Sequence, residues 1–105
     1  MNNMKIYNKL VRDKIPSIME KNGEIAYIRQ LGEQEYKLQL EKKLDEEIKE
    51  YHESNNLEEL ADILEVVYAL CEVDGYTIEE LQRKYVKKHE KRGGFSKRIF
   101  LIGKE

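Results

Sequence analysis

The sequence has one cysteine, Cys71, one proline, Pro16, no tryptophan and only six glycines in 105 residues. A single thiol excludes an internal disulfide framework and a cysteine-built zinc site. The scarcity of proline, with no serine- or glutamine-rich tract, argues against a disordered linker. Long apolar runs are missing as well. The longest, residues 63–71, is interrupted by Glu65 and falls far short of the roughly 20 residues that span a bilayer, so no membrane partner is expected. Residues 1–6 carry neither an apolar stretch nor a small-residue cleavage site, and the chain therefore reads as cytoplasmic rather than secreted. Its length reads as a single domain, 1–105, able to bury roughly 60–70% of its unfolded surface, so that a second copy is a natural source of further burial.

What the sequence has in abundance is charge. Charged residues make up 38% of the chain, yet the formal net charge is only -2, because the two signs are segregated. Between residues 41 and 65 ten acids face only Lys42, Lys43 and Lys49. Basic residues dominate both ends, with Lys9, Arg12 and Lys14 on one side and Lys88, Arg92, Lys97 and Arg98 on the other. Taken one at a time, such charges are solvated helix faces, and only their spacing distinguishes them.

Helical periodicity dominates. Leu40, Leu44, Ile48 and Tyr51 recur at three-and-four spacing and predict an amphipathic helix over residues 33–53. Ser54, Asn55 and Asn56 break it. A second helix follows over 57–73, closed by Asp74 and Gly75, and the two read as an antiparallel hairpin. Thr77 and Glu80 stand at capping-box spacing and open a third long helix, ended by Gly93 and Gly94. A short helix over 14–22 is expected near the amino terminus, capped by Asp13, with Pro16 in its first turn and Asn22-Gly23 as its stop. Residues 24–30 and 97–102 alternate apolar and polar positions and read as short strands able to pair with each other. The fold class is all-α: a helical hairpin that completes a four-helix bundle by oligomerisation, as a homodimer or homotetramer. The second helix is apolar over too wide an arc for one partner helix to cover.

The acids of the hairpin form a pattern. At 100° per residue Glu47 borders the apolar stripe of the first helix, and Glu50 lies one turn further along the same face. On the second helix Glu59 stands where an apolar residue would continue the stripe of Ile63, Val66 and Leu70, with Asp62 three residues on. Antiparallel packing brings these four carboxylates together. Two unit charges about 5 Å apart at an effective dielectric of 20 repel by roughly 3 kcal/mol, which a divalent cation removes. All-oxygen ligation favours a hard ion, Mg²⁺ or else Mn²⁺, which holds substrate phosphates beside the carboxylates.

Glu46-Glu47-Ile48-Lys49-Glu50 followed by Glu59-Leu60-Ala61-Asp62 resembles the EExxE and ExxD signature of the all-α nucleoside triphosphate pyrophosphohydrolases, the MazG-like superfamily, which includes phosphoribosyl-ATP pyrophosphohydrolase. The opening stretch 7–16 and the closing Lys91-Arg92-Gly93-Gly94-Phe95 resemble a compact subgroup of these proteins. The interval 51–58 between the acid motifs is shorter than in the MazG proteins themselves, which fits a tight hairpin. The resemblance implies Mg²⁺-dependent hydrolysis between the α and β phosphates of a nucleotide, releasing a monophosphate and pyrophosphate. It implies Glu47, Glu50, Glu59 and Asp62 as metal ligands, with Glu46 orienting water, so that Glu46 and Glu47 are the catalytic candidates.

Phosphate contacts are expected from Lys9, Arg12, Lys14, Lys88, Arg92, Lys97 and Arg98, with Arg12 and Arg92 favoured because a guanidinium grips phosphate bidentately. His52 and His89 read as surface residues, since no serine or cysteine nucleophile motif accompanies them, and Cys71 reads as core. General nucleotide hydrolysis ranks ahead of phosphoribosyl-ATP hydrolysis in histidine biosynthesis. A nucleic-acid-binding module built on the basic tail is disfavoured by the acidic centre, and a non-catalytic oligomerisation module by the four retained acids.

Overall fold

Two long helices with complementary faces set the architecture. In a computed structural model of the chain, which describes residues 4–105, helix α1 spans Ile15–Lys21, α2 Glu33–Ser54, α3 Leu57–Val73 and α4 Ile78–Arg92. The reading of the amino terminus as leaderless falls partly on residues 1–3, which lie outside the described residues. No helix is long and apolar enough to cross a membrane among the described residues.

The reversal between α2 and α3 needs only two residues. Asn55 adopts the left-handed conformation, φ 55°, and its N–H donates to the Tyr51 carbonyl, which ends α2. Asparagine tolerates this conformation better than most residues, so the break expected at residues 54–56 has a local cause. Gly75, at φ 92°, performs the corresponding turn after α3. At the start of α4 the Thr77 hydroxyl accepts from the Glu80 N–H at 3.1 Å and donates to the Glu80 carboxylate at 3.2 Å. The threonine half of the capping box is therefore formed, while the glutamate turns to the hydroxyl instead of the backbone.

Two expectations are corrected. Asp13 does not cap α1: the residue flanking the helix is Lys14, no side chain closes the end, and Pro16 occupies the first turn. No strand forms among the described residues, so 24–30 and 97–102 do not pair. Residues 95–98 instead make a turn, in which the Arg98 N–H donates to the Phe95 carbonyl at 2.9 Å and Arg98 takes φ 57°. That turn takes up the start of the alternating pattern, and neither segment finds a backbone partner among the described residues.

The hairpin holds nearly all of the interior. α2 packs along α3, whereas α4 touches α3 alone. Among the described residues only Leu40 and Val66 are buried hydrophobics, and the third buried side chain is a carboxylate, Glu47. Leu44, Tyr51, Ile63 and Leu70 are partly covered beside them. The chain is correspondingly open, measuring 69 × 32 × 25 Å with a radius of gyration of 18.5 Å, where a compact domain of this length has about 13 Å.

So small a core makes each buried atom count. Leu40→Ala should lower stability by roughly 2–5 kcal/mol, the range for deleting a buried leucine side chain. Urea denaturation followed by circular dichroism reads this directly. The same truncation at Leu38, more than half exposed on the opposite side of α2, should leave the midpoint nearly unchanged.

Candidate metal centre

Near the turn of the hairpin the carboxyl-terminal part of α2 lies beside the start of α3. One carboxylate oxygen from each of Glu47, Glu50 and Glu59 falls within 4.8 Å of the others. Three of the four acids expected to converge therefore do so. The fourth, Asp62, is held by Arg12, whose guanidinium donates to Oδ1 at 2.6 Å. Asp62 still lies close enough to the group for its charge to act on both Glu47 and Glu59.

Glu47 goes deeper than its sequence position implies. It is 6% exposed, whereas Ile48, assigned to the apolar stripe that Glu47 was expected only to border, is 37% exposed. The helix is thus rotated so that Leu40, Leu44, Glu47 and Tyr51 face α3, and a carboxylate takes the place of an apolar side chain at the seam. Lys43, one turn earlier, approaches Glu47 Oε1 at 3.5 Å. The other oxygen, Oε2, is buried and has no hydrogen-bond partner. A buried carboxylate oxygen without a donor is expensive, and the absent partner is the kind of electrophile that a cation supplies.

The electrostatics agree with that geometry. Burial, then the charge of Glu50, push the Glu47 carboxyl above its ordinary range, with Lys43 opposing them. Burial, then Glu50 and Asp62, do the same to Glu59. Each raised value has the same origin: desolvated carboxylates crowd one another without enough positive charge nearby. The donor set is entirely oxygen, so it fits a hard divalent ion and not a thiolate- or imidazole-preferring one.

The remaining candidates divide sharply. Arg12 is brought to the acids, on a contact spanning fifty residues of sequence. Glu46 is exposed on α2 and lies outside the three-carboxylate group. Lys9 lies over the Tyr7 ring at 5.5 Å. Among the described residues no ion pair joins Lys9, Lys14, Lys88, Arg92, Lys97 or Arg98 to an acid. His52 and His89 are exposed, as expected, and their ring contacts are with Tyr51 and Tyr85. Cys71 is partly exposed, not core, and its thiol donates to the Thr77 carbonyl at 3.3 Å. Sequence reasoning missed Lys43 as the counter-charge of Glu47. The i, i+4 spacing of the two residues carried the signal.

Over residues 3–93 the chain matches the family model dUTPase_2, described as dUTPase. The family is a dUTPase-like, all-α one related to the MazG nucleotide pyrophosphohydrolases. No significant match arises among curated proteins or among solved structures.

The raised carboxyls fix the sign of a pH effect. A carboxyl with a raised folded pKa favours the native state fully below its unfolded value of about 4.3, and the advantage is lost as pH rises through the folded value. Glu35, held below its ordinary range by Arg29, acts in the opposite direction, but only as pH falls through its own lowered value. Metal-free protein should therefore melt at a higher temperature near about pH 5 than near about pH 7.5. Glu47→Gln should flatten this slope and raise the melting temperature by a few degrees at the higher pH. A Gln variant that melts lower at both pH values would contradict the assignment of Glu47 as an uncompensated charge.

Proposed function

We propose that this chain, which belongs to the dUTPase family matched over residues 3–93, hydrolyses a nucleoside triphosphate between its α and β phosphates, with Mg²⁺ as cofactor. Membership in that family implies a nucleotide hydrolase, and the description of the family makes dUTP the first substrate to try, with dUMP and pyrophosphate as products. The observation that carries the reading is the meeting of Glu47, Glu50 and Glu59 around a buried, unpartnered Glu47 oxygen. A solvated surface cluster has no reason to bury a carboxylate at the seam between α2 and α3.

In this reading Glu47, Glu50 and Glu59 hold the ion, and Asp62 is the fourth carboxylate beside them. When bound, the divalent ion supplies charge neutralisation at the phosphate oxygens and a lowered pKa for a coordinated water. The residues of the chain do the rest. Lys43 offsets part of the charge on Glu47, so that the group tolerates its own crowding in the absence of substrate. Arg12, partly exposed at the rim on Asp62, presents a guanidinium that can take a phosphate in a paired hydrogen bond. Glu46 is the candidate acceptor for the proton of the attacking water. The other basic residues are assigned no contact.

Release of pyrophosphate and of orthophosphate should be followed separately for dUTP, other nucleoside triphosphates and phosphoribosyl-ATP, with Mg²⁺ and with chelator. The expected result is Mg²⁺-dependent pyrophosphate release, lowered by roughly a hundredfold or more in Glu50→Gln. Arg12→Ala should act mainly by raising KM for the triphosphate. Orthophosphate as the sole product would place the cleaved bond elsewhere, and equal rates with chelator would remove the metal from the reaction.

A further inference from the structure

The bond between Arg12 and Asp62 joins two groups that hydrolysis would use apart. Asp62 stands one turn after Glu59 on the same face of α3, and its charge acts on both Glu47 and Glu59. It is nevertheless left out of the three-carboxylate group. Its Oδ1 is taken by Arg12 Nη2 at 2.6 Å. An acid beside the oxygen set is thus masked by the cation that lies ready for a phosphate.

The geometry leaves this pair free to part. The Arg12 backbone is fixed, since its carbonyl accepts from the Ile15 N–H at 3.0 Å in the turn that opens α1. The side chains are more open to water, Arg12 being 54% and Asp62 39% exposed. Ion pairs of that exposure contribute little to stability. Among the described residues this is also the one ion pair that ties the segment before α2 to α3, and α1 packs against no other helix.

Each member has a stronger alternative partner. The bond to Asp62 uses one nitrogen of the guanidinium, whereas a phosphate accepts two parallel N–H bonds from the same fork. For Asp62 the alternative is a divalent charge held among Glu47, Glu50 and Glu59, in place of a single one. Both alternatives arrive with a nucleotide and its cation.

We propose that Arg12 and Asp62 exchange partners when substrate binds: the guanidinium moves from Asp62 to a phosphate, and the freed carboxylate joins Glu47, Glu50 and Glu59 as a ligand of the divalent cation. The inference rests on the hydrolytic reading and adds a coupling to it. Whichever of cation and triphosphate binds first breaks the pair for both, so each raises the affinity of the other by the same factor. Toward the cation Arg12 is a positioning residue, because it acts through Asp62.

The carboxyl ¹³C resonances of the full chain report this without turnover, assigned by their loss in Asp62→Asn, Glu50→Gln and Glu59→Gln. Mg²⁺ and α,β-imido-dUTP, whose bridging nitrogen resists hydrolysis, are added singly and together. In the wild type Mg²⁺ alone should move the Glu50 and Glu59 resonances and leave Asp62 in place, and the two ligands together should move all three. In Arg12→Ala, Mg²⁺ alone should move Asp62. Mn²⁺ affinity without nucleotide, read from the electron paramagnetic resonance of the free ion, should rise at least about fivefold in Arg12→Ala, the lower end of coupling between sites. That gain should be largely lost when Asp62→Asn is also present.

An Asp62 resonance that stays in place with both ligands while Glu50 and Glu59 move would overturn the exchange and leave the hydrolytic reading standing. So would one that moves fully with Mg²⁺ alone in the wild type. An equal gain in Mn²⁺ affinity with and without Asp62 would overturn it too, since loss of one positive charge would then suffice. Carboxyl resonances that respond to neither addition would overturn both readings. Should Arg12→Ala fail to fold, the wild-type spectra decide.

Discussion

The burial of the Glu47 carboxylate between α2 and α3 is the constraint around which this molecule is arranged. A hairpin with only Leu40 and Val66 as buried hydrophobics has little stability to spare, yet the next most covered position holds an ionisable group. An apolar side chain there would stabilise the hairpin, as replacement of buried charges by hydrophobic residues often does. Lys43 reaches only one of the two oxygens, and Glu50 and Glu59 add like charge. Within the α2–α3 seam, Glu47 is the one buried side chain that is not apolar. Exceptions of this kind are what functional sites commonly impose on a fold.

How far the sequence revealed this depends on the range of each interaction. The helices were legible because their signals are local: apolar residues at three-and-four spacing, Asn55 and Gly75 where the chain must turn, Thr77 at the start of α4. Convergence of Glu47, Glu50 and Glu59 was legible too, since antiparallel packing follows from a two-residue reversal. The pairing of Arg12 with Asp62 was not, because no periodicity connects residues fifty positions apart. Nor was the exchange of Ile48 for Glu47 at the seam. The wheel places both near one stripe, and a small rotation of α2, set by packing against α3, decides which is buried. The strands failed for a different reason, since alternation shows only that a segment could lie on a surface, while a ladder needs a partner for its backbone groups.

The thin interior and the exposed apolar residues are two sides of one fact. α3 presents apolar side chains in two directions, and a single α2 satisfies only one of them. Those outward-facing side chains have no covering element among the described residues.

The position of the acids relative to the helix ends sharpens the contrast within the site. Glu58 and Glu59 occupy the first turn of α3, where the positive end of the helix dipole favours them, so their presence needs no functional reason. Glu50 and Glu53 stand near the carboxyl end of α2, where the dipole opposes negative charge, and the only basic residue in the last turn is His52. The short reversal then presses the disfavoured acids of one helix against the favoured acids of the next. Neither helix gains from the arrangement, and the hairpin gains nothing from burying Glu47 beneath it. Within the described chain the only positive charge on Glu47 is Lys43, on one oxygen, while three carboxylates converge within 4.8 Å as an all-oxygen donor set of the kind that suits a hard divalent ion.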